Sequence, residues 1–164
     1  MALPNKVLPG FSAALYCQPT SSPTPLTTAQ LSLVASVSPI AVSGNLLPVE
    51  AIPAFGQDDA VASFSVAGSR QSDKIPAQAA PTSMTITAAW NPSDANLLLM
   101  RGDAASGVID RTFVISATEG SNIVYYAFNG RVGQFQIDAA PGAEAKCTFT
   151  VHPRGNQYGW SNNA

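Results

Sequence analysis

The stretch Ser83-Met-Thr-Ile-Thr-Ala-Ala-Trp90-Asn-Pro92 lies near the middle of the 164-residue chain and decides the fold. Its apolar residues occupy every second position from Met84 to Trp90, with Thr85 and Thr87 between them. This two-residue alternation is typical of a β-strand that buries one face and exposes the other. The stretch is therefore predicted to be a strand of an antiparallel sheet.

A short helix is predicted to follow this strand, over residues 92–101. Asn91 is a favourable capping residue, and Pro92 would then take the first helical position, where its missing N–H costs little. Gly102 is predicted to end the helix. The rest of the sequence predicts no second helix.

Further strands are predicted on both sides, separated by turn residues at 119–122 and 140–143. Strands and a single helix, without alternating βαβ units, favour antiparallel sheets. The predicted fold class is mainly β, an antiparallel β-sandwich or barrel with one short flanking α-helix. The predicted strands are 11–18, 31–37, 62–66, 84–90, 108–116, 122–129, 131–138 and 145–152.

The chain is predicted to form one domain, residues 1–164, because its length suits a single core. A proline-containing arm covers 1–10, and residues 38–60 are predicted to be largely irregular. Residues 67–82 read as a long polar loop, and 153–164 read as a polar tail anchored at most by Tyr158 and Trp160.

Charged residues make up only 11% of the sequence, against about 25% in an average soluble domain. One interpretation is an ordinary low-charge domain. The other is that neighbouring subunits cover much of the surface, because charged residues are depleted at interface cores. Few charges also leave strand edges unprotected unless an assembly pairs them.

The net charge of −2 and the scattered Lys and Arg residues argue against sequence-reading nucleic-acid binding, which needs clustered cations. Pro4 and Pro9 interrupt any apolar segment at the N-terminus, and no apolar run approaches the roughly 20 residues of a membrane helix. Cys17 and Cys147 are expected to be free thiols that act as small buried hydrophobes, in a protein kept in a cytoplasm.

No residue pattern predicts catalysis, a cofactor or a metal. His152 is the single histidine and stands before Pro153 without an evident partner. The pair Asp58-Asp59 lacks the spaced oxygen ligands of a calcium loop. Arg101-Gly102-Asp103 spells an adhesion tripeptide, but three residues recur by chance. We therefore expect a protein that is not an enzyme.

The order of elements resembles the major tail tube protein of lambda-like siphophages. The resemblance begins in Ser83–Pro92, where a threonine-rich strand ends in Trp90, one further residue and a proline before the short helix. Gly102-Asp103 then precedes the next strand, as it does in that family. The remaining matches are the strand Arg111-Thr-Phe-Val-Ile, the stretch Asn122-Ile-Val-Tyr-Tyr-Ala-Phe-Asn-Gly130 and the last strand, Cys147-Thr-Phe-Thr-Val151.

The resemblance implies a structural virion protein that is made in the host cytoplasm and resides in the tail. Rings of about six copies would join their inner sheets into an intersubunit β-barrel, and stacked rings would let viral double-stranded DNA pass. Other tail proteins would bind the tube ends. Neighbouring subunits and rings would be bridged by three segments: the arm, residues 38–60 and residues 67–82. The candidate contact residues are Pro4, Lys6, Asp58, Asp59, Arg70, Asp73 and Lys74.

One long strand pair is expected to line the lumen with its polar face. The candidate lumen-facing residues are Gln134, Gln136, Asp138, Thr148 and Thr150. Three alternatives stay open: another tail component such as a tail terminator or a contractile-type inner tube protein, a monomeric or dimeric β-sandwich binding module, and an enzyme.

Overall fold

The computed structural model describes residues 12–65, 72–119, 121–155 and 159–163. Its main sheet is antiparallel, with strand order β1-β5-β6-β7-β4, and β8 pairs with β6. The fold is mainly β, as predicted. The strands are β1 (Ser12–Cys17), β2 (Gln57–Ser65), β3 (Ser72–Pro81), β4 (Met84–Ala89), β5 (Arg111–Glu119), β6 (Asn122–Asp138), β7 (Lys146–Pro153) and β8 (Gly159–Asn163).

The two edge strands of this sheet, β1 and β4, are joined by one extended segment of the chain. The Leu47 N–H donates to the Leu15 carbonyl of β1, 2.9 Å away. The Glu50 N–H donates to the Thr87 carbonyl of β4 at 2.9 Å, and the Ala89 N–H donates to the Pro48 carbonyl at 3.0 Å. The segment 46–50 therefore draws the curled sheet toward a closed barrel and satisfies backbone groups on both edges.

The inner side of the curled sheet holds the main core. Alternate residues of five strands point inward and are joined by two side chains of α3 (Ala95–Ser106), Leu97 and Met100. The rings of Phe113 and Phe128 stack with centroids 5.6 Å apart. The sheet members of this core include Leu15, Cys17, Met84, Ile86, Ala88, Phe113, Ile115, Phe128, Val132, Cys147, Phe149 and Val151.

Among the described residues, two short helices cover one half of the outer side of the sheet. These helices, α1 (Thr28–Leu31) and α2 (Val34–Val37), pack a second apolar cluster against β5 and the first half of β6. Leu31 and Val37 are buried there. The predicted strand 31–37 is therefore wrong. Leu31, Val34 and Val37 are spaced by three, which suits helical turns as well as it suits alternation.

The predicted helix 92–101 is shifted toward the C-terminus. Asp94, not Asn91, caps α3, and its carboxylate accepts the N–H groups of Asn96 and Leu97. The Asn91 side chain instead accepts the Ser93 N–H at 2.9 Å in the preceding turn. Gly107 ends the helix in the left-handed region with φ 66°, so Gly102 lies inside it. The prediction of a single helix is wrong as well.

Two further sequence predictions need correction. The predicted strands 122–129 and 131–138 are one strand, β6, 17 residues long. The predicted polar tail 153–164 contains β8, in which Trp160 pairs with Tyr126 of β6. Since β7 and β8 both run antiparallel to the same edge of β6, they act as one interrupted strand. The N-terminal arm and Tyr158 lie outside the described residues.

The predicted long loop 67–82 is largely a strand. Residues of β3 pair antiparallel with β2, from Gln57 opposite Pro81 to Ser65 opposite Ser72, with a bulge between Asp59 and Val61. β2 begins five residues before the predicted strand. This hairpin forms a two-stranded sheet of its own, separate from the main sheet.

A buried ion pair holds α3, β5 and the end of β1 together. The Arg111 guanidinium donates to both carboxylate oxygens of Asp103, at 2.6 and 3.0 Å. It also donates to the carbonyls of Gln18 and Thr20. Arg111 is 0% exposed and Asp103 only 3%. A bidentate pair with further carbonyl acceptors is a strong arrangement for a buried guanidinium.

We predict that Asp103→Asn lowers the free energy of unfolding by about 3–5 kcal/mol, because it leaves a buried guanidinium without its counter-ion. The matched control is Asp110→Asn, which removes a partner of the half-exposed Arg131 and should cost at most about 1 kcal/mol. Urea unfolding followed by tryptophan fluorescence measures both. Equal losses in the two variants would contradict the assignment.

Both cysteines are free and buried, as the sequence predicted. Burial raises the pKa of the Cys17 thiol from 9.0 to about 12, although the nearby Arg111 guanidinium acts in the opposite direction. Burial also raises the pKa of the Cys147 thiol. The Cys17 thiol therefore stays neutral in the folded protein over the pH range in which an exposed thiol ionises, and the Cys147 thiol ionises less readily than an exposed one.

We expect neither thiol to react with a disulfide reagent in the folded protein, and both to react after denaturation.

The neutral Cys17 thiol also makes the free energy of unfolding depend on pH. The stabilisation that comes from burying the neutral Cys17 thiol is fully present below pH 9.0, the pKa of the unfolded thiol. It is lost as the pH rises toward about 12, the pKa of the folded thiol. Cys17→Ala should flatten the fall in unfolding free energy across that window. An unchanged slope would contradict the prediction.

Candidate assembly surface

The half of the outer sheet face that α1 and α2 leave uncovered is polar. It is formed by β4, β7 and the second half of β6, and we call it the polar face. Residues opposite one another form rows across the three strands. The rows are Arg131 and His152, with the Ser83 side chain beside His152; Gly133, Thr150 and Thr85; Gln136, Thr148 and Thr87; and Asp138, Lys146 and Ala89.

The local sequences explain this surface. On β4, Thr85 and Thr87 alternate with the buried Met84, Ile86 and Ala88. On β7, Thr148 and Thr150 alternate with the core residues Cys147, Phe149 and Val151. β-branched threonine suits a strand and keeps a hydroxyl outward. The alternation was readable from the sequence, but the pairing of β4 with β7, which puts four threonines side by side, was not.

The polar face contains four of the five predicted lumen-facing residues. Gln136 and Asp138 are exposed, and Thr148 lies directly opposite Gln136 and is partly exposed. Thr150 is on the same face but only 8% exposed, which makes it the least accessible of the four. The structure adds Thr85, Thr87, Arg131 and His152, which the sequence reasoning did not place on this surface.

Gln134 does not share the face of Gln136, so the simple alternation expected along 134–138 is wrong. Gly133 pairs with Thr150 and Gln136 with Thr148, which leaves Gln134 and Phe135 together opposite Phe149. Gln134 has a φ of 53° at this bulge. A bulge inserts one residue and re-aims the side chains around it. Gln134 instead lines a cleft beside α3.

This cleft lies between α3 and the second half of β6 and has a volume of about 470 Å³. Phe135 within it stacks on Phe149, with centroids 6.0 Å apart, and meets the edge of Trp90 at 5.7 Å. The aromatic contacts fix the bulge by burying Phe135 against the core. The lining residues are Arg101, Ala104, Ala105, Gln134, Phe135 and Ile137.

The two ends of the polar face carry opposite charge. At the Arg131 end, Arg131 donates to both oxygens of Asp110, at 2.6 and 3.3 Å, and Arg154 lies 3.8 Å from the same carboxylate. At the other end, Lys146 contacts Glu50 at 2.5 Å. Its pKa is raised by that hydrogen bond and by the charges of Glu50, Glu144 and Asp138. One end has more cations than anions, and the other has more anions than cations.

His152 has a structural role on the polar face. Its Nδ1 lies 2.8 Å from the Ser83 hydroxyl, which links β7 to the start of β4. Its ring lies over Gly133, where an added Cβ would be 3.2 Å from Nε2. Among the described residues no carboxylate bonds to this imidazole, so the arrangement lacks the third group that orients a catalytic base.

The second half of β6 extends beyond the residues that pair with β5. β5 begins at Arg111, opposite Gly130, while β7 occupies the other edge as far as Asp138. No described strand pairs with the β5 side of β6 beyond Gly130. Such an edge offers unpaired N–H and C=O groups to another chain.

The predicted contact residues fall mainly on the β2–β3 hairpin. Asp58 and Asp59 are in β2, and Asp73 and Lys74 are in β3, opposite Phe64 and Ser63. These four are therefore brought onto one hairpin. Pro4, Lys6 and Arg70 lie outside the described residues.

The adhesion reading of Arg101-Gly102-Asp103 has no support in the structure. Asp103 is buried and bonded to Arg111, while Arg101 is exposed on α3. In the part of the chain that the structure describes, no group of three His, Cys, Asp or Glu side chains could hold a metal ion. Within the same described ranges, no helix has the length and apolar character to cross a membrane.

Gly130 is required by the close contact between β6 and β7. An added Cβ would lie 3.0 Å from Val151 Cγ1 and 3.2 Å from the His152 carbonyl oxygen. Gly130→Ala should lower the free energy of unfolding by about 1–3 kcal/mol. The matched control is Gly102→Ala on α3, where nothing lies within 4 Å and stability should rise by roughly 0.8–1 kcal/mol. Thermal unfolding of both variants measures the difference, and a neutral Gly130→Ala would contradict it.

No protein-family model and no curated protein matches the sequence. Solved structures do match. The PVC sheath/tube terminator of an extracellular contractile injection system, in its extended state, matches with a TM-score of 0.63 and 11% identity, covering 99% of this chain and 100% of that chain. A chain of the six-fold symmetrised anti-feeding prophage baseplate gives 0.58 and 12%, covering 94% and 95%.

The SPP1 tail tube matches with a TM-score of 0.54 and 11% identity, covering 96% of this chain and 79% of that chain. At this identity the likeness concerns the fold. The curled antiparallel sheet with few helices is a phage tail-tube-like fold, as the sequence resemblance implied. The matched structures come from phage and injection-system tails and do not single out the lambda-like siphophages.

Proposed function

We propose that this chain is a non-catalytic structural subunit of a tail tube. Copies associate into rings, and the rings stack into a hollow tube that passes viral double-stranded DNA. One observation carries the proposal: a tail-tube-like fold exposes a neutral, threonine-rich sheet face beside a strand edge with which no described strand pairs. The likeness of the fold to the SPP1 tail tube over 96% of this chain supports it.

The ring is built by pairing strands between neighbours. The edge of β6 beyond Gly130 needs a partner strand, and the β2–β3 hairpin stands as a separate two-stranded sheet. An isolated hairpin is at best marginally stable in water. The hairpin of one copy therefore adds to the β6 edge of the next. Each copy uses two different surfaces, so the contact is heterologous and closes into a ring if the rotation permits.

The polar face then lines the lumen. Its middle rows, from Gly133 to Thr87, contain no charged residue. DNA that must slide should meet few cations, because phosphate neutralisation by Lys and Arg is the main source of non-specific affinity. Threonine hydroxyls and the Gln136 amide keep the wall wetted without holding a phosphate.

The finer assignment is the major tube subunit of a lambda-like siphophage, in rings of about six, located in the virion tail after assembly in the host cytoplasm. It needs no cofactor, and its partners are further copies, tube-end proteins and the passing DNA. A second candidate is a tube terminator. The full-length match to a sheath/tube terminator, covering 99% of this chain and 100% of that one, favours it.

Electron microscopy of the purified protein separates these functions. A tube subunit should form stacked rings, whereas a terminator should form single rings that do not extend. A particle that stays near 16.9 kDa by light scattering at every concentration would contradict both and favour a monomeric binding module.

We predict that Gln136→Lys combined with Thr148→Lys leaves tube assembly intact but blocks genome delivery, because each copy then adds two cations to the lumen. DNA should be retained by such tubes, and the retention should weaken as salt rises. Gln134→Lys is the matched control, since Gln134 lies in the α3 cleft. Normal infectivity of the double variant would contradict the lumen assignment, as would an equal defect in the control.

A further inference from the structure

The β2–β3 hairpin has two outer edges, and prolines interrupt the backbone donors of only one of them. We propose that β2, and not β3, is the strand that pairs with the edge of β6 beyond Gly130 in a second copy. The inference rests on the proposed tube function and names the strand that joins neighbouring subunits.

Pro81 faces the outer edge of β3. It lies opposite Gln57, and in the adjacent pair the Thr82 N–H donates to the Gly56 carbonyl at 3.1 Å. Hydrogen-bonded and non-hydrogen-bonded pairs alternate along an antiparallel ladder, so Pro81 and Gln57 form a non-hydrogen-bonded pair. The Pro81 nitrogen, which carries no hydrogen, therefore points away from β2.

Pro76 faces the same edge. It lies opposite Val61 and, because it lacks an N–H, must also belong to a non-hydrogen-bonded pair. Pro76 and Pro81 are an odd number of residues apart, which would turn their nitrogens to opposite sides of a regular strand. A bulge corrects this, since the stretch from Ala79 to Pro76 has one residue more than the stretch from Asp59 to Val61 opposite it.

The outer edge of β2 keeps every backbone donor. Residues opposite the outward positions of β3 also face outward, and no proline stands among them. No described strand pairs with this edge. Proline on an edge is one of the devices by which proteins discourage strand addition, so β2 is the strand of the hairpin that can add to another chain. Its outward residues are Gln57, Asp59, Val61, Ser63 and Ser65.

The edge of β6 beyond Gly130 suits β2 of a second copy. The Asn129 carbonyl accepts the Arg154 N–H at 2.7 Å, so Asn129 faces β7. The alternation then turns the backbone groups of Val132 toward the side on which no described strand follows β5. β2 is 9 residues long, which is enough to span the rest of β6 from Arg131 to its end at Asp138.

Ser63→Pro tests this edge, because it removes an outward N–H and leaves the hydrogen bonds between β2 and β3 in place. It should lower the ring population at least about tenfold. The matched control is Ser72→Pro, the same substitution on the outer edge of β3, opposite Ser65, and it should leave the rings unchanged. Electron microscopy and light scattering measure both variants. Equal loss of rings in the two variants, or no loss with Ser63→Pro, would overturn the inference.

Amide hydrogen exchange of the unsubstituted protein is a second measurement, which stands even if Ser63→Pro unfolds the hairpin. On assembly, exchange should slow by at least about tenfold at Val61, Ser63 and Val132, and stay unchanged at Ser72 and Lys74. Slowing at Ser72 and Lys74, or slowing in β2 without slowing at Val132, would overturn this inference while rings still form. Wild-type protein that forms no rings would overturn the proposed function itself.

Discussion

The buried guanidinium of Arg111 fixes α3 against the curled sheet. It joins the last turns of α3 and the start of β5, eight residues apart at Asp103 and Arg111, to the chain leaving β1, which lies 91 to 93 residues earlier in the sequence. Its cost in desolvation is offset because Asp103 and two backbone carbonyls accept its N–H groups. With α3 fixed there, Leu97 and Met100 fill the inner side of the curled sheet. The same contact makes Asp103 a structural residue.

Periodicity allowed much of the main sheet to be predicted. β1, β4, β5 and β7 lie where alternation placed them, within a few residues at each end. The errors share a physical cause. In residues 31–37, both a strand and a helix would put the apolar residues on one side. The helical conformation is favoured because those residues pack against the apolar sheet face at Val114 and Ala127. The short strand β8 is polar and has no alternation that would predict it; its pairing with β6 stabilises it.

The polar face likewise combines features that follow from the alternation of single strands with features that depend on tertiary contacts. Thr148 and Gln136 could be assigned to an outward face from their own strands, but their position opposite each other depends on register. The prediction that Gln134 shares the face of Gln136 was wrong because a bulge interrupts the alternation of β6. The stacking of Phe135 on Phe149, which stabilises the bulge, is a long-range contact that the local sequence does not reveal. The charged ends could not be foreseen, since Glu50 reaches Lys146 through the segment that joins β4 to β1.

The joining of both sheet edges by segment 46–50 has a consequence for the protein as a building block. A curled sheet with open edges could bind partners along either side and would grow without order. Bonding those edges internally leaves the subunit fewer strand edges with which a partner chain can pair. Particles with few directional contacts form chains and rings in preference to disordered aggregates. In the tube proposed above, a subunit with little surface charge could therefore still assemble in an orderly way.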